Sequence, residues 1–166
     1  HYSPNTKEVY YASTDIGSTE RAVYAVSLNG KRKRILSHDY GYNGALFSSN
    51  AQYYIHSFSD AITPPKYQLR KTSNAKVIRT VLENTSLKQQ ITALGLPKKE
   101  FNTLMVNGNE LNMWMLKPKD FDPNKQYPLL MFQYSGPGSQ QVANRWTSQR
   151  DLWHYLLTQK GVIVAC

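Results

Sequence analysis

A repeat offset by about 44 residues, the distance from Val9 to Tyr53, most limits what this chain can fold into. Glu8-Val9-Tyr10-Tyr11 returns as Gln52-Tyr53-Tyr54-Ile55. Ala22–Leu28, Asn29 and Arg34-Ile35-Leu36 run in step with Lys66–Thr72, Asn74 and Arg79-Thr80-Val81-Leu82. Short segments rich in Tyr, Val and Ile, each bounded by Gly, Pro, Asn or Ser, read as successive strands with no helix between them. The expected strands are Val9–Ser13, Ala22–Leu28, Lys33–Ser37, Gly44–Ser48, Tyr53–Ser59, Lys66–Thr72 and Val77–Leu82. The offset suits one four-stranded propeller blade, which takes roughly 40–50 residues. A blade cannot bury both its faces alone and needs neighbours. The sequence therefore reads as the end of a propeller that extends before His1.

After Leu82 the pattern changes. Leu87–Gly95 carries Leu87, Ile91 and Leu94 at helical spacing, and Gly95 with Pro97 closes it. Glu100–Val106 and Leu111–Leu116 flank Asn107-Gly108-Asn109 as a hairpin, and Lys117–Lys125 is a polar loop. Pro128 can only begin a strand or sit on its edge, because it lacks an amide hydrogen. Leu129, Leu130, Met131 and Phe132 follow without alternation, which predicts a strand covered on both faces. Gly136, Pro137 and Gly138 stop it and leave Tyr134 at the carboxyl edge, where open α/β sheets place their chemistry. A tyrosine phenol is a neutral hydrogen-bond donor there. Trp146–Gln159 is predicted as a helix with Leu152, Tyr155 and Leu156 on one face and Trp153 beside them. Gly161 ends it, and Val162–Ala165 begins another buried strand, so strand, helix and strand form a parallel crossover. The sequence thus divides into antiparallel blades over residues 1–86 and the opening of an α/β sheet over residues 87–166.

The net charge of +9 admits nucleic-acid or membrane-surface binding as a class. The basic residues do not collect, however. Lys31, Arg32, Lys33 and Arg34 form the only cluster, directly after Asn29-Gly30, a type I′ hairpin signal, and read as a solvated hairpin flank. No apolar run approaches the roughly 18 residues of a membrane helix. No metal or nucleotide motif is present, so no cofactor is expected. The single cysteine, Cys166, rules out an internal disulfide. Asn84-Thr85-Ser86 matches the glycosylation sequon and reads as a chance match. The chain starts at His1 without a secretory pattern, as expected of a piece of something longer or of a chain whose leader was removed. His38, His56 and His154 have no ligand spacing and read as structural or exposed, and His1 has no assignable role. Asp39, Asp120 and Asp122 read as turn residues. Trp114, Trp146 and Trp153 read as packing residues, with Trp146 nearest the loop after Tyr134.

The stretch Tyr127-Pro128-Leu129-Leu130 through Tyr134-Ser135-Gly136-Pro137-Gly138-Ser139-Gln140 resembles the start of the hydrolase domain in the prolyl oligopeptidase family of serine peptidases, nearest the dipeptidyl peptidase IV branch. Pro97-Lys98-Lys99-Glu100, the Asn107-Gly108 hairpin, Met113-Trp114-Met115-Leu116-Lys117-Pro118 and Phe121-Asp122-Pro123 fit the same order. The resemblance implies a β-propeller capping an α/β-hydrolase domain, with residues 1–86 the last blades and residues 87–166 the start of the catalytic domain. It implies release of dipeptides from peptides with Pro or Ala at the second position. It also implies a homodimeric parent, with no nucleic acid and no spanning segment, at the periplasm, the cell surface or outside the cell. The family's tyrosine at this place donates to the oxyanion of the tetrahedral intermediate, and that role falls on Tyr134. Pro137 would line the leaving-group side of the cleft.

The departures carry weight too. No Gly-x-Ser-x-Gly elbow occurs in the sequence, and Ser139 lacks the second glycine that such an elbow requires. By resemblance the Ser-Asp-His triad lies beyond Cys166 and the glutamates that hold the substrate's amino terminus lie before His1, so these residues alone are expected to be inactive. The alternatives are another peptidase of the same family, cleaving acylaminoacyl or oligopeptide substrates, and a non-catalytic basic propeller that binds an acidic partner.

Overall fold

The structure is a computed structural model. It describes the chain from His1 to Cys166 apart from Ser135, Pro137, Ser148 and the side chain of Gln149. Two four-stranded antiparallel meanders come first. One holds β1 (Tyr2–Ser3), β2 (Glu8–Ser13), β3 (Ala22–Ser27) and β4 (Lys33–Ile35) in that order. The other holds β5 (Tyr42–Phe47), β6 (Tyr53–Ser59), β7 (Lys66–Lys71) and β8 (Val77–Leu82). These are the sheets the repeat predicts, and β1 is an addition too short to read from sequence.

The repeat extends into the turns. Lys7 and Ala51, at matching places in the two sheets, both take the left-handed conformation, at φ 54° and 52°. Gly30 and Ala75 do the same before the last strand of each, at φ 73° and 56°. Of Asn29-Gly30, only Gly30 has positive φ, and its amide donates to the Ser27 carbonyl at 2.8 Å. This is a type I turn closed by a left-handed glycine rather than the type I′ turn that the dipeptide suggests. Asn107-Gly108 does make the I′ form, with φ 51° and 79° between the paired residues Val106 and Asn109.

The two meanders pack on each other through Tyr10, Val23, Ala25, Leu36, Ala51 and Tyr54. Apolar burial is worth roughly 25 cal/mol per Å² and is the main force holding the sheets face to face. Polar bonds then set their register. The Tyr54 hydroxyl donates to the Leu36 carbonyl at 2.7 Å, and Arg34 Nη1 donates to the Thr72 carbonyl at 2.7 Å. Arg34 also meets Glu8 at 2.9 Å. The basic cluster is therefore only partly a solvated flank, because Arg34 is half-buried and ties one sheet to the other.

The third sheet is mixed, in the order β11-β12-β10-β9. After α1 (Thr85–Ala93), the hairpin of β9 (Glu100–Val106) and β10 (Asn109–Leu116) is antiparallel. Next come β11 (Leu129–Met131), α2 (Gln149–Gln159) and β12 (Ile163–Ala165), with β11 and β12 parallel as the crossover predicts and β12 antiparallel to β10. Trp114, Leu116, Tyr155 and Val164 form the core here. Most strand pairing in the molecule is antiparallel, with one parallel pair among the named strands.

Three expectations are corrected in this sheet. Leu129 and Met131, expected to be covered on both faces, are each 57% exposed, because β11 is the outermost strand and no described residue lies over it. Helix α2 buries only part of its expected apolar face: Tyr155 is buried beside Asp151, His154 and Thr158, while Leu152, Trp153 and Leu156 are exposed. The cause is Lys99, whose buried ammonium draws the Asp151 carboxylate inward to 2.6 Å. Trp153 is exposed among the described residues, whereas Trp114 is buried in the core. His1 does have contacts, stacking on Phe47 at 5.6 Å and donating its terminal amine to the Tyr10 carbonyl.

Candidate active-site edge

The candidate site begins where β11 ends. Pro128 accepts the Ile163 amide through its carbonyl at 2.9 Å, and the Phe132 amide donates to the Ala165 carbonyl at 2.8 Å. The parallel pairing thus persists one residue past Met131 before the chain departs. Tyr134 follows two residues later with its side chain in solvent, 62% exposed. Its ring lies over the backbone of Gly136. A turn then closes from the Ser139 amide to the Gly136 carbonyl, helped by Gly138 at φ 76°. Pro137 falls outside the described residues.

Beyond this turn the loop is fastened to both meanders. Gln140 donates through Nε2 to the Ser18 carbonyl at 2.8 Å and accepts from Arg21 at 2.5 Å. The Asn144 amide donates to the Thr19 carbonyl at 2.9 Å. Its side chain donates to the Glu20 carboxylate at 3.2 Å and accepts from the Ala61 amide at 2.9 Å. Trp146 adds a longer bond from its amide to Ser59 Oγ. Arg21 and Arg145 stand over the Tyr42 ring, at 5.5 Å and 5.4 Å from its centroid. Bonds to an ionised group are stronger than neutral ones, so the short bond from the Arg21 guanidinium to Gln140 and the contact with Glu20 are the firmest of this strap.

Behind the loop lies a compact polar interior. Lys99 and Asp151 are almost wholly buried, and Lys99 also lies 4.8 Å over the Trp114 ring. Asp151 accepts the Thr147 amide through its other oxygen, which satisfies an open donor at the start of α2. His154 sits against Trp114 and Phe132, each at 5.3 Å. Burial holds the His154 imidazole below its usual pKa, with Asp151 opposing and Lys99 reinforcing. Among the described residues its Nδ1 has no partner. The same burial raises the Cys166 thiol and pushes the Tyr155 phenol up to about 12. None of these groups is an exposed nucleophile. The one exposed donor of this edge singled out by its position at the strand end is Tyr134.

Sequence reasoning singles out Tyr134 as the candidate and is silent on what surrounds it. The sequence assigns no role to Gln140 and Asn144, whose partners stand 119 and 124 residues upstream. No local pattern reports such a contact. His56, read as structural or exposed, proves structural, buried with Nε2 2.9 Å from Asn43 Oδ1. Asp122 is a turn residue as read, accepting the Asn124 amide.

Two antiparallel meanders of the kind found in propeller blades, fastened by a loop to a mixed sheet, are the class of fold this chain shows. Comparison with known proteins agrees. Residues 1–65 match the family model of the dipeptidyl peptidase IV (DPP IV) N-terminal region. The crystal structure of Porphyromonas gingivalis dipeptidyl peptidase 4 superposes with a TM-score of 0.92 at 41% identity, over 99% of this chain and 23% of that one. A probable dipeptidyl-aminopeptidase B of Phaeosphaeria nodorum is 36% identical over 94% of this chain and 17% of its own length. A probable dipeptidyl peptidase 4 of Aspergillus flavus is 37% identical over 83% of this chain and 18% of its own. The chain belongs to the dipeptidyl peptidase IV family and spans about a fifth of the length of these relatives.

Proposed function

We propose that the protein carrying this chain is a serine exopeptidase that releases X-Pro or X-Ala dipeptides from peptide amino termini. Residues 1–86 are then closing blades of its propeller, and residues 87–166 open its α/β-hydrolase domain. The exposed apolar edge of β11 and the outward face of α2 support a sheet that continues with further strands and helices. The same reading carries a homodimeric whole placed at the periplasm, the cell surface or outside the cell.

The observation that carries the proposal is the place of Tyr134, an exposed phenol just past the end of a parallel strand. In the first half of acyl transfer a serine oxygen, giving its proton to a general base supplied with it from elsewhere, bonds to the substrate's carbonyl carbon, and the carbonyl π pair moves onto oxygen. The Tyr134 hydroxyl donates a hydrogen bond to that oxygen and keeps its proton. A donor aimed at charge that appears only in the transition state lowers the barrier without tightening substrate binding. The strap through Gln140 and Asn144 holds the loop against the propeller face, so the domain that admits the peptide also steadies the loop that follows the donor. The nucleophile is supplied from elsewhere, since these residues contain no Gly-x-Ser-x-Gly.

The test is Tyr134→Phe in the full-length peptidase with a Gly-Pro chromogenic substrate. A loss of roughly 100–1000-fold in kcat with little change in KM is expected. Retention of kcat to within about twofold would remove Tyr134 from the reaction.

A further inference from the structure

A Cβ placed on Gly136 would lie 2.6 Å from Cε1 of Tyr134, 3.1 Å from Cζ and 3.2 Å from the phenolic oxygen. Non-bonded carbons rest at about 3.5–4.0 Å, so a side chain at Gly136 and the present ring position exclude each other. Backbone freedom is not the reason for this glycine. Gly138, in the same loop, has φ 76° and an open space where a Cβ would go, whereas Gly136 is absent from the positive-φ residues. Gly136 is needed for contact and Gly138 for conformation.

The contact matters because little else fixes the ring. Tyr134 is 62% exposed, and among the described residues no hydrogen bond holds its hydroxyl. An exposed side chain rotates freely unless something limits it, and here the limit is the flat backbone at Gly136. We infer that Gly136 is a positioning residue: by lacking a side chain it lets the Tyr134 ring lie down on the loop and so sets where the phenol points. This rests on the oxyanion role of Tyr134. A methyl at Gly136 would lift the ring away at little cost to the fold, since the atoms it meets are the far end of an exposed side chain. The cost would fall on catalysis, where a misplacement of about 1 Å is worth up to 100-fold.

The experiment compares Gly136→Ala, Tyr134→Phe and the double variant in the full-length peptidase, on a Gly-Pro chromogenic substrate. Gly136→Ala is expected to lower kcat roughly 10–100-fold, with KM within about twofold. Its thermal midpoint should stay within about 2 °C of the parent. In the Tyr134→Phe background the same change should cost no further rate, because both act through one hydroxyl. If Tyr134→Phe is severely impaired while Gly136→Ala keeps its kcat, the positioning role is wrong and the donor role stands. If Tyr134→Phe keeps its kcat, the donor role fails and the positioning role with it. A Gly136→Ala protein that does not fold, or that loses rate equally in both backgrounds, would show that Gly136 acts on something other than the ring.

Discussion

Between the two meanders the apolar seam is Tyr10, Val23, Ala25, Leu36, Ala51 and Tyr54, whereas the mixed sheet packs Trp114, Leu116, Tyr155 and Val164 beside the buried Asp151, His154 and Thr158 of α2. The meanders share a strand order and a repeat offset, and both contribute residues to one apolar seam. The mixed sheet has no copy to pack on. It recruits α2 through a buried ion pair and leaves the apolar side of the helix, together with β11, open among the described residues. A repeat solves the burial problem by adding another unit. The mixed sheet solves part of it with charge and leaves the rest to further structure.

The two regions can be followed separately, since Trp114, Trp146 and Trp153 are the only tryptophans and all lie after Leu82. The sharpest way to break the contrast is Tyr54→Ala, which opens a cavity between the meanders and strips the Leu36 carbonyl of its donor. A destabilisation of about 5 kcal/mol is expected in urea by far-UV circular dichroism. Tryptophan emission should respond less, and an equal response would mean that the regions unfold as one. Lys99→Met should cost about 4 kcal/mol, read by tryptophan emission, because it strands Asp151 as an unpaired buried charge. Adding Asp151→Leu should recover most of that loss, and failure to recover would show that the pair does more than balance itself.

A pH titration sharpens the contrast on the other side. Burial first, and the Arg70 charge second, pull His56 from 6.5 down to about 4. The unfolded chain therefore binds a proton below pH 6.5 that the folded one refuses until about pH 4. Stability contributed by the neutral ring is present above pH 6.5 and is lost as pH falls through that window. The loss amounts to about 3 kcal/mol. His56→Gln should abolish this part of the slope. The smallest effect is expected from Asn144→Ala, about 1 kcal/mol on stability for the strap bonds it removes.

The blades were legible because their signals are local. Alternating apolar residues, turn residues and a fixed offset all act within one strand or one hairpin. The legibility stops at the turns. Lys7, Ala51 and Ala75 occupy left-handed positions where sequence would place Gly or Asn. They are held there by the pairing on either side rather than by their own preference. The candidate donor was legible by its place after an apolar run closed by glycine and proline. The seat under its ring and the strap beyond it were not, since those contacts join residues across a turn and between sheets.

What the sequence alone determined is the succession of strands and helices, the blade period, and Tyr134 at a strand end. Those follow from backbone preferences that each short segment carries with it. Which face α2 turns inward and where the phenol rests were decided only in three dimensions. They depend on Lys99 reaching Asp151 and on Tyr134 finding bare backbone at Gly136. A buried charge outweighs an apolar stripe when its partner is already in place, because stranding it would cost more than leaving leucines in water.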